Sequence, residues 1–322
     1  MKATDVKKVV CAGAGVIGSS FATNYAMKGY KVCVFNVRPQ RLEEAKEQIH
    51  NNLTFLADKG ILKAEDVAGM EANVSYSTDA KEAFSDAQFI QEQFPEKYEV
   101  KREMLAEIEK YAPVDAVIAS STSGLLITEM AKGMQHPERL VGGHPYNPPH
   151  LIPLVEVVKG DASSDEAVQC AYDLYKLLGK EPVKLNKEVN GYIANRLQVA
   201  LYRECIDLVM KGVCSVEDVD KAFTFGPGLR LAIMGPNLVF HLGGGKMGGI
   251  RGLLSALHDS TAMRLKDMAY WTEEPMEWPE VAEAGVLEEI EHRDPAIGKT
   301  IPEIALYRDN MLLEILKLHG KL

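Results

Sequence analysis

Short apolar runs punctuate the first half of the chain at Val9–Cys11, Lys31–Phe35, Val74–Ser77, Phe89–Phe94, Ala116–Ala119 and Leu140–Gly142. Most of the stretches between them carry the spacing of helices. That alternation predicts a parallel sheet covered on both faces. After the first run, Ile17, Phe21, Tyr25 and Lys28 lie about one turn apart, and Gly29 stops the helix. From Pro39 to Lys59 the pattern is longer than a usual crossover. Leu42, Ala45, Ile49, Leu53 and Leu56 line one face and Gly60 ends it, so an extra helical arm is expected on the sheet.

Two more strands are read at Leu154–Val158 and Pro182–Leu185, and after Asn190-Gly191 the texture changes. Tyr192–Lys211 reads as one helix, with Ile193, Leu197, Val199, Ala200, Leu201, Ile206, Leu208 and Val209 spread over most of its surface. A helix apolar nearly all round is buried on several sides. Nothing strand-like of any length follows. The expected division is residues 1–188, an α/β sheet domain, and residues 189–322, an all-helical domain. So much apolar helix in so short a segment predicts a core completed against a second subunit, a homodimer.

The turn after the first strand, Gly13-Ala14-Gly15-Val16-Ile17-Gly18, fits G-x-G-x-x-G. Its glycines permit a tight turn, let backbone approach a pyrophosphate and allow helix to pack closely on strand. The phosphates then rest at a helix N-terminus, here on Gly13, Gly15, Val16, Ile17 and Gly18. A preceding strand and a following amphipathic helix are the context the motif requires. The sheet domain is therefore read as a Rossmann-type, doubly wound fold holding a nicotinamide dinucleotide.

The end of the second strand sets the choice between NAD and NADP. An acidic residue there receives the ribose hydroxyls of NAD, but this sequence has Asn36, then Val37 and Arg38, with Arg41 a turn later. Asn does not repel a 2′-phosphate, and a neighbouring Arg can pair with one. The alternative is that Arg38 and Arg41 simply begin a solvated helix. On these residues alone the cofactor choice stays open.

The third feature lies at the end of the sheet domain. His144-Pro145-Tyr146-Asn147-Pro148-Pro149 is followed by Glu156 inside Leu154-Val155-Glu156-Val157-Val158. A carboxylate in an apolar strand is costly without a partner, and an imidazole is the obvious one. The Glu would fix the tautomer and leave the other nitrogen free as a general base. Ala119-Ser120-Ser121-Thr122-Ser123-Gly124 closes a strand with several hydroxyls, and Gly191-Tyr192-Ile193-Ala194-Asn195-Arg196 opens the long helix. Each of these segments has a plain structural explanation when taken alone: a loop His, capping serines, a satisfied core Asn.

Composition narrows the picture. A length of 322 residues favours two domains. A net charge of −10 argues against nucleic acid, which needs clustered Lys and Arg. The five cysteines (Cys11, Cys33, Cys170, Cys205, Cys214) form no C-x-x-C pair, which fits a reducing compartment. No apolar stretch approaches the roughly 20 residues of a membrane helix, and no signal-peptide pattern opens the chain. The expected setting is cytoplasmic, without a membrane. Neither H-E-x-x-H nor a Cys/His cluster is present, so no metal is expected.

Together, G-A-G-V-I-G, S-S-T-S-G, H-P-Y-N-P-P, L-V-E-V-V and G-Y-I-A-N-R resemble the L-3-hydroxyacyl-CoA dehydrogenase superfamily in order and spacing over roughly the first 240 residues. The resemblance implies that His144 is the catalytic base and Glu156 its orienting carboxylate. It implies that Ser123 bonds the substrate oxygen and that Asn195 supports the substrate from the helical domain, in a cleft between the domains. Asn147 matches the Asn just after the base, and Glu96 and Lys101 match positions near the cofactor. By resemblance the cofactor is NAD, with NADP the alternative. The sequence departs from the acyl-CoA members at its end. Gly226-Pro227-Gly228-Leu229-Arg230, Met234-Gly235-Pro236, Tyr307-Arg308-Asp309-Asn310 and the doublet Pro148-Pro149 look like the branch of free-hydroxy-acid enzymes that contains L-gulonate 3-dehydrogenase (the lambda-crystallin type) and L-carnitine dehydrogenase. The implied reaction is reversible oxidation of a small 3-hydroxy acid to the 3-oxo acid. A 3-hydroxyacyl-CoA dehydrogenase and a crystallin-like nucleotide-binding structural protein are the alternatives. For the substrate carboxylate, the candidate partner is Arg230, set among apolar neighbours, unless it forms an ion pair with Asp218 or Asp220.

Overall fold

A computed structural model describes all residues from Met1 to Leu322. The chain divides into two compact units, Met1–Asn195 and Arg196–Leu322. The first is built on strands β1 (Lys8–Ala12), β2 (Lys31–Phe35), β3 (Val74–Ser77), β4 (Phe89–Glu92), β5 (Val117–Ser120), β6 (Leu140–Pro145), β7 (Leu154–Val158) and β8 (Glu181–Leu185). Between them run helices α1 (Val16–Met27), α2 (Pro39–Asp58), α3 (Ala64–Glu71), α4 (Ala80–Phe84), α5 (Tyr98–Tyr111), α6 (Ile127–Met130) and α7 (Asp165–Leu177).

The strands form one sheet in the order β3-β2-β1-β4-β5-β6-β7-β8. All neighbours are parallel except β6 and β7. The reversal, which departs from the parallel sheet expected, has a simple cause. Parallel neighbours need a crossover of a dozen or more residues, usually a helix. The link between Pro145 and Leu154 is short and carries Pro148, Pro149 and Pro153, so it can only turn the chain back. The order changes direction between β1 and β4, which is where ligands settle in such sheets, beyond the carboxyl ends of the strands.

Both faces of the sheet are covered. Val9, Cys11, Val32, Val34, Phe89, Val155 and Val157 point into a core shared with α1, α2 and α7. Val10, Ala12, Cys33, Phe35, Ile90, Ile118 and Val158 point into the opposite one, with Leu105 and Ile108 of α5 and Ile127 and Met130 of α6. Burial on both sides explains why these strands read as unbroken apolar runs. The long arm is α2, which buries Leu42, Ala45, Ile49, Leu53 and Leu56 as its spacing predicted.

The second unit is helical. It takes up α8 (Ala194–Met210), which starts at the boundary, and continues through α9 (Val216–Thr224), α10 (Pro227–Leu231), α11 (Pro236–Gly243), α12 (Ile250–Ala256), α13 (His258–Asp267), α14 (Trp278–His292) and α15 (Ile301–Leu318). Its buried apolar residues are few: Ile206, Val216, Ala269, Trp278, Leu313 and Leu316. The expectation that the long helix is buried on several sides does not hold within the single chain. Of α8 only Ile206 is buried, while Leu197, Val199, Leu201 and Tyr202 are exposed. No helix is long and apolar enough to cross a membrane.

Candidate active site

The ends of β1, β4, β5 and β6 lie side by side, because each strand pairs with the next in that order. They bring together the glycine turn, Glu92, the Ser120–Ser123 run and His144. In the turn, Gly13 has φ 132°, and a Cβ there would lie 2.8 Å from the Gln93 carbonyl oxygen. A Cβ on Gly18 would meet the Gly13 carbonyl oxygen at 2.0 Å, so helix and turn close tightly. Gly15 is different: its Cβ would face open space. That is the position where backbone can approach a pyrophosphate. The first intrahelical acceptor is the Gly15 carbonyl, taken by Ser19 N at 2.9 Å. The N–H groups of Val16, Ile17 and Gly18 therefore remain available to an anion. The turn fits a dinucleotide.

Past β2, half-buried Asn36 uses its side-chain oxygen to accept from Arg38 N at 3.0 Å. Arg41 pairs with Glu44 at 2.6 Å. The exposed Arg38 guanidinium enters no such pair.

At the end of β5, one carboxylate organises the hydroxyl run. Glu96 Oε1 accepts from Thr122 Oγ1 (2.6 Å), Ser123 N (2.8 Å) and Ser123 Oγ (3.2 Å). The Ser123 carbonyl accepts from Asn195 Nδ2 at 3.0 Å. Burial pushes the Glu96 carboxyl up, but the Thr122 hydroxyl, Lys101 and Ser123 outweigh it and hold the pKa below its usual value. Lys101, which the resemblance puts near the cofactor, is only 1% exposed. Its ammonium is spent on Glu92 (2.8 and 3.1 Å) and the Phe94 carbonyl (3.0 Å).

His144 lies within β6, directly opposite Glu156 of β7 in the antiparallel register. Sequence reasoning stopped this strand at Gly142; pairing with β7 extends it through the His-Pro pair. His144 Nδ1 and Glu156 Oε2 are 2.8 Å apart, and both residues are buried. An ionised carboxylate only accepts, so Nδ1 carries the proton and Nε2 presents its lone pair. The other Glu156 oxygen accepts from Ile193 N (2.8 Å) and Ala194 N (3.1 Å). Burial raises the Glu156 carboxyl; the bond from His144 and the two backbone N–H groups outweigh it and keep its pKa below the usual carboxylate range. Tyr192, with φ 51°, puts its ring 5.5 Å from the imidazole and donates to the Leu125 carbonyl at 2.9 Å.

The structure thus joins His144 to Glu156, and Ser123 to both Glu96 and Asn195. Asn147 is exposed just beyond β6. In the helical unit Arg230 is exposed on α10. The ion pair considered for it is absent: Asp218 accepts from Ser215 at 2.8 Å, and Asp220 lies against Glu289, whose carboxyl burial and Asp220 together raise. Sequence reasoning missed Glu92, a fully buried acid at the end of β4, after Phe89-Ile90-Gln91. The signal that revealed Glu156, a carboxylate between valines, is weaker there because Gln91 and Gln93 flank Glu92. It also missed Lys180, buried with its ammonium on the Pro149 and Ile152 carbonyls.

A dinucleotide turn and a buried histidine–glutamate pair on one doubly wound sheet, with the family match, define an NAD-dependent dehydrogenase of the hydroxy-acid class. Residues 8–189 match the NAD-binding domain of 3-hydroxyacyl-CoA dehydrogenase, and residues 191–285 match its C-terminal domain. The chain belongs to the 3-hydroxyacyl-CoA dehydrogenase family. It is 37% identical to an L-carnitine dehydrogenase of Streptomyces griseus subsp. griseus, over 99% of this chain and 91% of the relative. The identity to an L-carnitine dehydrogenase of Pseudomonas sp. is 36%, over 98% and 95%. Among solved structures it resembles 5-formyl-3-hydroxy-2-methylpyridine 4-carboxylic acid 5-dehydrogenase, an NAD+-dependent dismutase, with TM-score 0.79, 26% identity, and 98% and 97% of the two chains covered. It also resembles the (S)-3-hydroxybutyryl-CoA dehydrogenase of Ralstonia eutropha, with TM-score 0.68, 25% identity, and 87% and 94% covered.

Proposed function

We propose that this enzyme oxidises a small free 3-hydroxy acid to the 3-oxo acid, with L-carnitine the first substrate to test. The buried His144–Glu156 pair, 2.8 Å apart at the end of β6, carries the reading. Nε2 of His144 takes the substrate hydroxyl proton. Glu156 holds the imidazole in the one tautomer that allows this and stabilises the imidazolium that forms. Ser123, fixed at its N–H and hydroxyl by Glu96 and at its carbonyl by Asn195, orients the substrate oxygen. The glycine turn and the N–H groups of Val16, Ile17 and Gly18 hold the pyrophosphate of NAD, with Asn36 and Arg38 at the adenosine end and Asn147 beside the base. Bound NAD supplies the acceptor for the hydride.

The free-acid reading, rather than a coenzyme A thioester, is supported by the identity to L-carnitine dehydrogenases along nearly the whole chain. An exposed arginine without an ion pair, Arg230, is available for a carboxylate. The quaternary state we favour is a homodimer formed through the helical unit. Leu197, Val199, Leu229, Ile233, Leu238, Phe240 and others leave apolar side chains uncovered there, which supports a surface that meets a partner. Five free cysteines, three of them buried, support a reducing, cytoplasmic setting.

The test is a screen of L-carnitine, L-gulonate, 3-hydroxybutyrate and 3-hydroxybutyryl-CoA, with NAD and with NADP, read as reduced nicotinamide. Turnover of one free acid with NAD is expected. Turnover of 3-hydroxybutyryl-CoA alone would overturn the substrate assignment, and no turnover at all would leave a nucleotide-binding structural role.

A further inference from the structure

The Glu92 carboxylate bonds Phe94, Lys101 and Ser120, away from the histidine pair, and is fully buried. Its Oε1 accepts from Phe94 N at 2.6 Å and Lys101 Nζ at 2.8 Å. Its Oε2 accepts from Lys101 at 3.1 Å and from the Ser120 hydroxyl. Lys101 therefore lies between two carboxylates and is shared unequally: it bonds both oxygens of Glu92 but is 3.5 Å from Glu96 Oε2. The imbalance matters because the other oxygen of Glu96 takes the N–H and hydroxyl of Ser123.

We propose that Glu92 is a positioning residue that holds the Lys101 ammonium away from Glu96, leaving the Glu96 carboxylate turned towards Ser123. The proposal rests on the assignment of Ser123 to the substrate oxygen. A buried ammonium needs a carboxylate, and removing one partner makes it seek the other. In Glu92→Gln the nearest charge left to Lys101 is Glu96. Drawn onto Lys101, that carboxylate turns and loses the Ser123 bonds. The amide keeps the volume of the acid, so the strand itself is little disturbed.

The experiment is a cycle of Glu92→Gln, Ser123→Ala and the double variant in the full chain. It is read as kcat and KM for the hydroxy acid found in the screen, with Tm and the Kd for NAD measured alongside. Loss of alignment by a fraction of an ångström to an ångström is expected to lower kcat/KM about 10- to 100-fold in Glu92→Gln. In the Ser123→Ala background the same substitution should cost less than about threefold, because the group it positions is gone. If Ser123→Ala alone leaves kcat/KM unchanged, the assignment of Ser123 fails, and the proposal with it. If Ser123→Ala is impaired but Glu92→Gln multiplies its effect in full, or lowers Tm while sparing kcat/KM, Glu92 is structural and the proposal is overturned. Should Glu92→Gln not fold, Glu92→Asp, which keeps the charge and withdraws it by one methylene, is read in the same cycle by the same criteria.

Discussion

The two units dispose of their polar and apolar groups in opposite ways. The sheet unit hides charge: Glu92, Lys101, Arg139, Glu156 and Lys180 are all buried in it, between two continuous apolar cores. The helical unit leaves grease outside. Leu197, Phe225, Ile233, Leu242, Met263 and Ile301 are exposed, and its own buried cluster is small. A unit with a closed core can bury ion pairs and use them for chemistry. On the proposed dimer, a unit with so little buried completes its core against a second copy. The contrast sets a unit with a closed core against one with much exposed apolar surface, and the roles proposed for each can be tested.

The largest effect is expected in the sheet unit. His144→Ala should lower kcat by about 10²- to 10⁴-fold, the usual contribution of a general base. The Kd for NAD should stay near wild type, since the glycine turn is on another strand. Glu156→Gln should cost less. It should also leave the Kd for NAD near wild type, because Glu156 acts through the imidazole and not on the glycine turn. A His144→Ala variant retaining about a tenth of wild-type kcat, well above that range, would remove His144 as the base.

Next comes the helical unit. Leu197→Asp together with Leu201→Asp should weaken dimerisation about tenfold to a hundredfold, given the burial energy of a leucine. Sedimentation would show a shift to monomer. Val114→Asp, an equally exposed valine of the sheet unit at 64%, should leave the association state unchanged. Equal behaviour of the two variants would erase the contrast.

Arg230→Lys keeps the charge but loses the planar fork, so KM for the hydroxy acid should rise about tenfold with Tm held. A fall in Tm at constant KM would make Arg230 structural.

A smaller effect concerns Lys180, whose pKa burial lowers to about 7, against about 10.4 in an unfolded chain. Between those values the unfolded state binds a proton that the folded state does not, so this group makes stability rise with pH. Burial raises the thiols of Cys11, Cys33 and Cys170. Their contribution is present at low pH and is lost above about 8.5, the unfolded thiol value. The clear window is therefore about pH 7 to 8.5, with a gain of about 2 kcal/mol expected across it. Lys180→Met should flatten that part of the Tm–pH curve, and an unchanged slope would exclude Lys180 as its source.

The smallest change should follow Asn36→Asp, which places a carboxylate at the ribose and repels a 2′-phosphate. The NAD-to-NADP preference should rise by about tenfold or less. Arg38→Ala should weaken NADP more than NAD, and equal losses would make Arg38 a mere surface residue.

Legibility in the sequence followed the same division. In the sheet unit, strand positions were readable because burial on both faces writes continuous apolar runs, and Glu156 stood out against such a run. Glu92 escaped because Gln91 and Gln93 flank it, so a carboxylate there does not stand out against apolar neighbours. Helix α3 escaped because it buries no residue and so leaves no stripe. The reach of β6 through His144 was hidden behind Pro145, a residue that locally reads as loop. In the helical unit only the long helix and the helical class were readable, and the burial expected of that helix was not met: apolar residues that stay exposed in the chain look the same in sequence as those of a core.

The position of His144 opposite Glu156 also makes folding its own inspection. A slip of one residue between β6 and β7 would turn Glu156 to the face where Val155 and Val157 now pack, and send those valines to the other side. The stranded carboxylate would have no imidazole and no N–H groups from Ile193 and Ala194, a penalty of several kcal/mol. That is a large share of the roughly 5–15 kcal/mol by which a domain is stable. A chain with the wrong register would not persist as a well-folded but inactive enzyme. It would open often enough to be captured by chaperones and proteases, so the cell removes it without ever having to sense that catalysis has failed.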